Sequence, residues 1–210
     1  MERQPYPVGD LEDGQAVQVT KINLPSFGGG ILTADYLWNL SQQGQVFVAS
    51  DADQNDLVTG QTSFADTTPT FLLDVPAGTT AVPLFLNLSQ TGSVAGGAID
   101  VIIEIDRVKR YSSGGTSEKV FSPSARTSAC KLYTGATALT GYGVRIWGAT
   151  IGQDVSPAEG AIQGPFWKPE VPYQLVGPAS FLIYTYAGTT GPTWFWSFGW
   201  ASLDTKTVVP

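Results

Sequence analysis

A chain of 210 residues with 42% hydrophobic and 11% aromatic residues can bury a core of its own as one large domain. Its net charge of −7 argues against general nucleic-acid binding and against docking on anionic lipid, and 24 Gly and 14 Pro that punctuate apolar runs argue against disorder. Charged residues are only 14%, so much of the surface is uncharged or covered, which favours an assembly over a lone monomer.

Residues 1–14 are acidic, carry Pro5 and Pro7, and show no period. They read as an extended N-terminal arm, and Tyr6, Val8 and Leu11 are its candidates for docking on a neighbouring subunit or a capsid. Residues 15–210 read as a single β-sandwich domain. Short apolar runs bounded by turn residues predict strands at Gln15–Asn23, Ile31–Leu40, Gln45–Ser50, Thr70–Val75 and Thr80–Leu88. Pro76-Ala77-Gly78-Thr79 joins the last two as a hairpin connection. Ala98–Val108 is the longest alternating run: Ile99, Val101, Ile103 and Ile105 face one way, and Asp100, Ile102, Glu104 and Asp106 face a solvated side. Further strands are expected near 127–133, 142–149, 171–176, 180–186 and 193–203. Only single helical turns are expected, near Gly9–Gly14 and Ser156–Gly160.

The richest stretch is Thr193–Ala201. With period two, Trp194, Trp196, Phe198 and Trp200 line one strand face, and Phe195, Ser197, Gly199 and Ala201 line the other. That many rings on one face predict burial in the core or between subunits, with something packed close behind the small residues. The alternative is a sugar-binding platform. Two tetrapeptides recur: Asn39-Leu40-Ser41-Gln42 as Asn87-Leu88-Ser89-Gln90, and Ala77-Gly78-Thr79-Thr80 as Ala187-Gly188-Thr189-Thr190. Repeated turn chemistry is the simpler explanation, and an old duplication the other.

Chemistry is poorly represented. Without histidine there is no Ser-His-Asp triad and no usual zinc set, and a lone Cys130 without His is a poor nucleophile. Cys130 also excludes an internal disulfide and reads as a strand thiol, in keeping with folding in a cytoplasm. The N-terminus lacks the apolar stretch of a signal peptide, and no run reaches the ~20 apolar residues of a membrane helix. Gly28-Gly29-Gly30 lacks the Lys-Ser or Lys-Thr of a phosphate loop. Asp100 and Glu104 on one strand stand ~13 Å apart, too far for a glycosidase pair, and Glu104 with Asp106 at ~7 Å is explained by a solvated face. Asp51-Ala52-Asp53-Gln54-Asn55-Asp56 begins like a calcium loop but has Asp56 where Gly is needed and Thr62 where Glu is needed, so an acidic turn is its default reading. No cofactor or metal is expected, and no enzyme. Six of the eleven basic residues fall between Arg107 and Lys131, and Arg107, Lys109 and Arg110 are candidates for a basic patch.

The run Val75-Pro76-Ala77-Gly78-Thr79-Thr80-Ala81-Val82-Pro83-Leu84 and the tail from Gly177-Pro178-Ala179-Ser180-Phe181-Leu182-Ile183-Tyr184 through Trp200 resemble, in texture, bacteriophage capsid decoration (cement) and minor capsid proteins. The resemblance covers about residues 70–203. It implies an all-β, antiparallel two-sheet sandwich of jelly-roll type with an N-terminal arm, a homotrimer bound to capsid proteins, and a place in the virion after assembly in a host cytoplasm. No functional residue carries over from it. A glycan-binding module, as in a phage receptor-binding part or a lectin-like sandwich, is the alternative.

Overall fold

The computed structural model describes residues 36–51, 57–91, 98–151 and 163–205. The proposed arm with Tyr6, Val8 and Leu11, the strand expected at Gln15–Asn23, the two single helical turns and most of the calcium-like loop lie outside the described residues. Contacts divide the chain into Met1–Asn39 and Leu40–Pro210, and every described strand belongs to the second unit.

In chain order the elements are α1 (Tyr36–Gln42), β1 (Val46–Ser50), β2 (Val58–Thr59), β3 (Phe71–Val75), β4 (Thr79–Gln90), β5 (Ile99–Asp106), β6 (Tyr111–Ser113), β7 (Thr116–Ser117), β8 (Val120–Phe121), β9 (Lys131–Thr134), β10 (Thr137–Ala138), β11 (Val144–Ile151), β12 (Gln163–Trp167), β13 (Leu175–Val176), β14 (Ala179–Ala187) and β15 (Thr193–Asp204). They form an antiparallel sandwich. A seven-stranded sheet has the order β12-β4-β15-β1-β8, with β13 also on β4 and β2 also on β15. A six-stranded sheet has the order β11-β5-β14-β3-β9-β7, and β6 and β10 form a separate two-stranded ladder.

The core lies between the sheets. Trp194, Trp196, Phe198 and Trp200 of β15 are all buried in it, as the period-two reading required. Phe71, Leu73, Phe181, Ile183, Ile99, Val101 and Ile103 face them from the six-stranded sheet. The rings form a chain: Phe47 stacks on Trp200, Trp200 on Phe198, and Phe198 on Phe181, with centroids 6.1, 5.6 and 5.4 Å apart. Two indole N–H groups are satisfied inside: Trp194 donates to Thr185 Oγ1 at 3.0 Å and Trp200 to Ser128 Oγ at 3.2 Å. Trp196 Nε1 is buried with no partner among the described residues.

Behind β15, Gly199 answers to the expected close approach. A Cβ there would stand 2.3 Å from the Phe85 ring, so only glycine lets that ring lie flat on the strand. In the ladder Gly199 pairs with Phe85 and Trp200 with Pro83, so Leu84 is the extra residue of a β-bulge. The bulge turns Leu84 to the outer cluster of Leu40, Val82, Ala201 and Leu203, and it is also where a strand tolerates Pro83.

Three expectations are corrected. Ile31–Leu40 does not end as a strand: Tyr36–Gln42 is helical. Gly44 ends that helix with φ +70°, its N–H bonding Ser41 O at 3.0 Å while Gln45 N–H bonds Leu40 O at 2.9 Å, a Schellman pair. Pro76–Thr79 does form a turn, with Gly78 at φ +82° and Thr79 N–H on Pro76 O at 3.2 Å, but it is not a hairpin. It carries the chain from β3 in one sheet to β4 in the other. Alternation tells which way side chains point, not which sheet receives the next strand. The recurring Ala-Gly-Thr-Thr sits at the same kind of crossing, from β14 to β15, whereas the two Asn-Leu-Ser-Gln copies fall in α1 and in β4 and share no geometry. Finally, the Asp100–Asp106 side of β5 is not freely solvated, because Ile102 and Glu104 are buried. The chain between Arg107 and Gly143 folds back over that face, placing Tyr111 and Ala138 against Leu72, Ile102, Leu182 and Tyr184.

Candidate functional site

The two outer faces of the sandwich have opposite chemistry. The seven-stranded sheet contains a single charged residue, Asp204, at the end of β15. Ladder register fixes what its open side presents. Phe166 of β12 pairs with Asn87 of β4, which pairs with Ser197 of β15, which pairs with Ser50 of β1. One step along, Phe195 pairs with Ser89, and on the other side Val48 pairs with Phe121 of β8. Phe166 is 62% exposed, Phe121 67% and Phe195 37%. Alternation forces this arrangement: each Phe neighbours an inward residue, Trp167, Val120 or Trp196, that belongs to the core. Beyond the part that Leu40 of α1 covers, the result is a pleat of Phe, Val, Ser and Asn whose strands, among the described residues, bring no ionic group to hold water.

The six-stranded sheet carries Asp74, Asp100, Glu104, Asp106, Lys131 and Arg145 in its strands. Its outer face is closed by Arg110, whose side chain is 1% exposed. The guanidinium donates from Nε to Leu139 O at 2.6 Å, from Nη1 to Asp106 Oδ2 at 3.1 Å and from Nη2 to Asp66 O at 3.2 Å. Its backbone N–H donates to Ser180 Oγ at 2.8 Å, and Ser180 Oγ donates in turn to Val108 O at 3.1 Å. Asp66 is fixed as well, since its Oδ2 accepts from Gly141 N–H at 3.1 Å and its carbonyl from Tyr184 Oη at 2.9 Å. The buried guanidinium thus ties the segments of Leu139 and Asp66 to Asp106 at the end of β5. Burial holds the Glu104 carboxyl above the usual carboxylate range, opposed by the charges of Arg145 and Arg110. Burial also pushes the Tyr184 phenol well up, and Glu104 adds to this.

Arg110 is therefore no part of a surface patch. Arg107 and Lys109 are exposed, and Lys109 lies 3.8 Å from Asp74 and over the Tyr111 ring. Tyr111 in turn stacks on Tyr133 at 4.2 Å; of the three basic candidates, Arg110 is a structural clamp, Lys109 makes a modest local pairing and Arg107 is simply exposed. The sequence could flag the cluster of basic residues but not that one of them turns inward.

A cleft of about 510 Å³ opens where the edges of the two sheets face each other, along Ser117–Phe121 and Ala125–Lys131. Glu118, Arg126 and Lys131 bring charges of both signs to it, and Glu118 accepts from Thr134 Oγ1 at 2.5 Å. Cys130 lies at this cleft, but burial pushes its thiol up to about 11. At neutral pH it is a thiol, not the thiolate a nucleophile requires. No group of three or more metal-ligating side chains occurs among the described residues. Asp51, the first residue of the calcium-like run, accepts the backbone N–H of Trp196 through its Oδ2 at 3.0 Å. No described helix is long and apolar enough to cross a membrane.

The sequence pattern places Phe195 on the outer side of β15 but singles out neither Phe166 nor Phe121. The available signal was the strands' lack of charge: from Thr79 to Gln90, and again from Thr193 to Leu203, not one ionisable acid or base interrupts the run. No family model, no curated protein and no solved structure matches this chain.

Proposed function

We propose that the chain is a structural component of a virus particle, a capsid decoration or minor capsid protein, that docks on a shell protein through the open face of its seven-stranded sheet. The observation that carries this reading is the charge-free pleat bearing Phe166, Phe195 and Phe121. Protein interfaces are depleted of charge at their centres and enriched in aromatic residues, and a rigid sheet presents them with little entropy to lose. The partner surface is correspondingly apolar and weakly charged, since a charged one would be desolvated against Phe without compensation. The glycan alternative draws no support from β15, whose indoles are buried in the core.

Sedimentation of a particle-containing lysate tests the reading. The chain is expected in the particle fractions, and a Phe166→Ser, Phe195→Ser variant at the top of the gradient. Absence of the wild-type chain from particle fractions, together with binding of a defined sugar on a glycan array, would replace this reading with the glycan one.

A further inference from the structure

We infer that β11 is a self-pairing edge, through which two copies of this chain join their six-stranded sheets across a two-fold axis at Gly148. The proposal does not depend on the shell-binding face, which lies on the other sheet.

The argument begins with what the other edges lack. A sheet edge offers a row of unpaired N–H and C=O groups, and proteins blunt it by shortness, proline or charge. Among the described residues, β7, β8, β2 and β13 are two residues long, and β12 carries Pro165, which has no N–H to give. β11 differs: it runs for eight residues and pairs, among the described strands, with β5 alone. Its only charge is Arg145, near one end.

The sequence of β11 is complementary to itself. Against β5 it carries one extra residue, Ile146, because Arg145 pairs with Glu104 and Trp147 with Ile103. This shift puts Arg145, Gly148 and Thr150 on the outer side, in register with Glu104, Ile102 and Asp100. Trp147 and Ile151 pack against the core. A two-fold axis makes a strand meet its copy antiparallel. Centred on Gly148, with the same allowance for Ile146, it sets Trp147 against Ala149, Arg145 against Thr150 and Val144 against Ile151. Each residue meets one that points to its own side, large meets small at Trp147 and Ala149, and glycine meets glycine on the axis. The charges agree as well. Thr150 Oγ1 donates to Asp100 Oδ1 at 2.6 Å, so the arginine of one copy arrives beside the carboxylate of the other, and symmetry makes the contact twice. A ring of three through strand pairing would need a second unblunted edge, which the described strands do not offer.

Gly148 makes the test clean. A Cβ added there meets only Val101 O, at an ordinary 3.7 Å, so substitution leaves the fold intact. Gly148→Lys brings two ammonium groups together on the axis. Light scattering of the full chain should then read one chain mass where the wild type reads two, with a cooperative melt whose midpoint, unlike that of the wild type, does not depend on concentration. Gly148→Cys should form a covalent dimer under mild oxidation, since residues opposite each other in a ladder lie within disulfide reach. Thr150→Cys, away from the axis, should not. A wild type that is monomeric at high concentration, a dimer or trimer that Gly148→Lys leaves intact, or Thr150→Cys linking as readily as Gly148→Cys would each overturn the proposal.

Discussion

The two outer faces of one sandwich were built by opposite rules. On the six-stranded sheet, charge was admitted and then covered: Glu104 and Arg110 are buried beneath the excursion between Arg107 and Gly143 and held by hydrogen bonds. On the seven-stranded sheet, charge was left out of the strands; Leu40 of α1 covers the part around Val82, Ala201 and Leu203, and the part bearing Phe166 and Phe121, each more than half exposed, is left open among the described residues. A buried ion cluster contributes uniqueness, because only one arrangement satisfies it, whereas an open apolar pleat contributes nothing to the isolated chain and is useful only to something that covers it. The first face is therefore assigned to folding and the second to association.

The largest effect should come from breaking the covered face. Arg110→Met leaves the Asp106 carboxylate and the Asp66 and Leu139 carbonyls without their buried donor, and should cost about 3–5 kcal/mol in urea unfolding. Arg107→Met, on the exposed neighbour, should stay within about 0.5 kcal/mol. If the two substitutions cost the same, the clamp is not structural.

The core beneath both faces gives a graded series. Trp196→Ala should destabilise by roughly 3–5 kcal/mol, as deletion of a buried ring does. Replacement by Phe should separate the three indoles. Trp194→Phe and Trp200→Phe each remove a satisfied indole hydrogen bond, though Thr185 Oγ1 keeps Thr70 and Ser128 Oγ keeps the Cys130 N–H, while Trp196→Phe removes an N–H with no partner among the described residues. Thermal unfolding should place Trp196→Phe about 1 kcal/mol above Trp194→Phe.

Glu104 sharpens the comparison through pH. Burial raises its folded value above the unfolded one near ~4.3, so the stability it contributes is full below that value and lost as pH rises through the folded value. Glu104→Gln should accordingly be at least as stable as the wild type at pH 7, with the advantage vanishing toward pH 4. A loss at pH 7 that persists at pH 4 would show that Glu104 is retained for its shape in the cluster and not merely tolerated as a charge.

These contrasts also mark what the sequence could tell. The inward side of β15 and of β5 was legible because a period of two on Trp194–Trp200 and Ile99–Ile105 has no other economical reading. The turn at Pro76–Thr79 was legible, yet its role as a passage between sheets was not, since local φ preference says nothing about the strand's next neighbour. Short strands such as β7 and β8 are set by ladder bonding to long partners and have too few residues to show a period. The inward turn of Arg110 depends on Asp66, Asp106 and Leu139 meeting it from distant segments, which no window of sequence contains.

The smallest expected effect on stability accompanies the most decisive measurement. Phe166→Glu with Phe121→Glu places two carboxylates on the open pleat, at positions more than half exposed where solvent accommodates them, so the melting temperature should move by no more than about 2 °C. Co-sedimentation with particles, measured beside it on the same protein, should be lost. Retained particle binding by this charged but folded variant would contradict the assignment of that face to association.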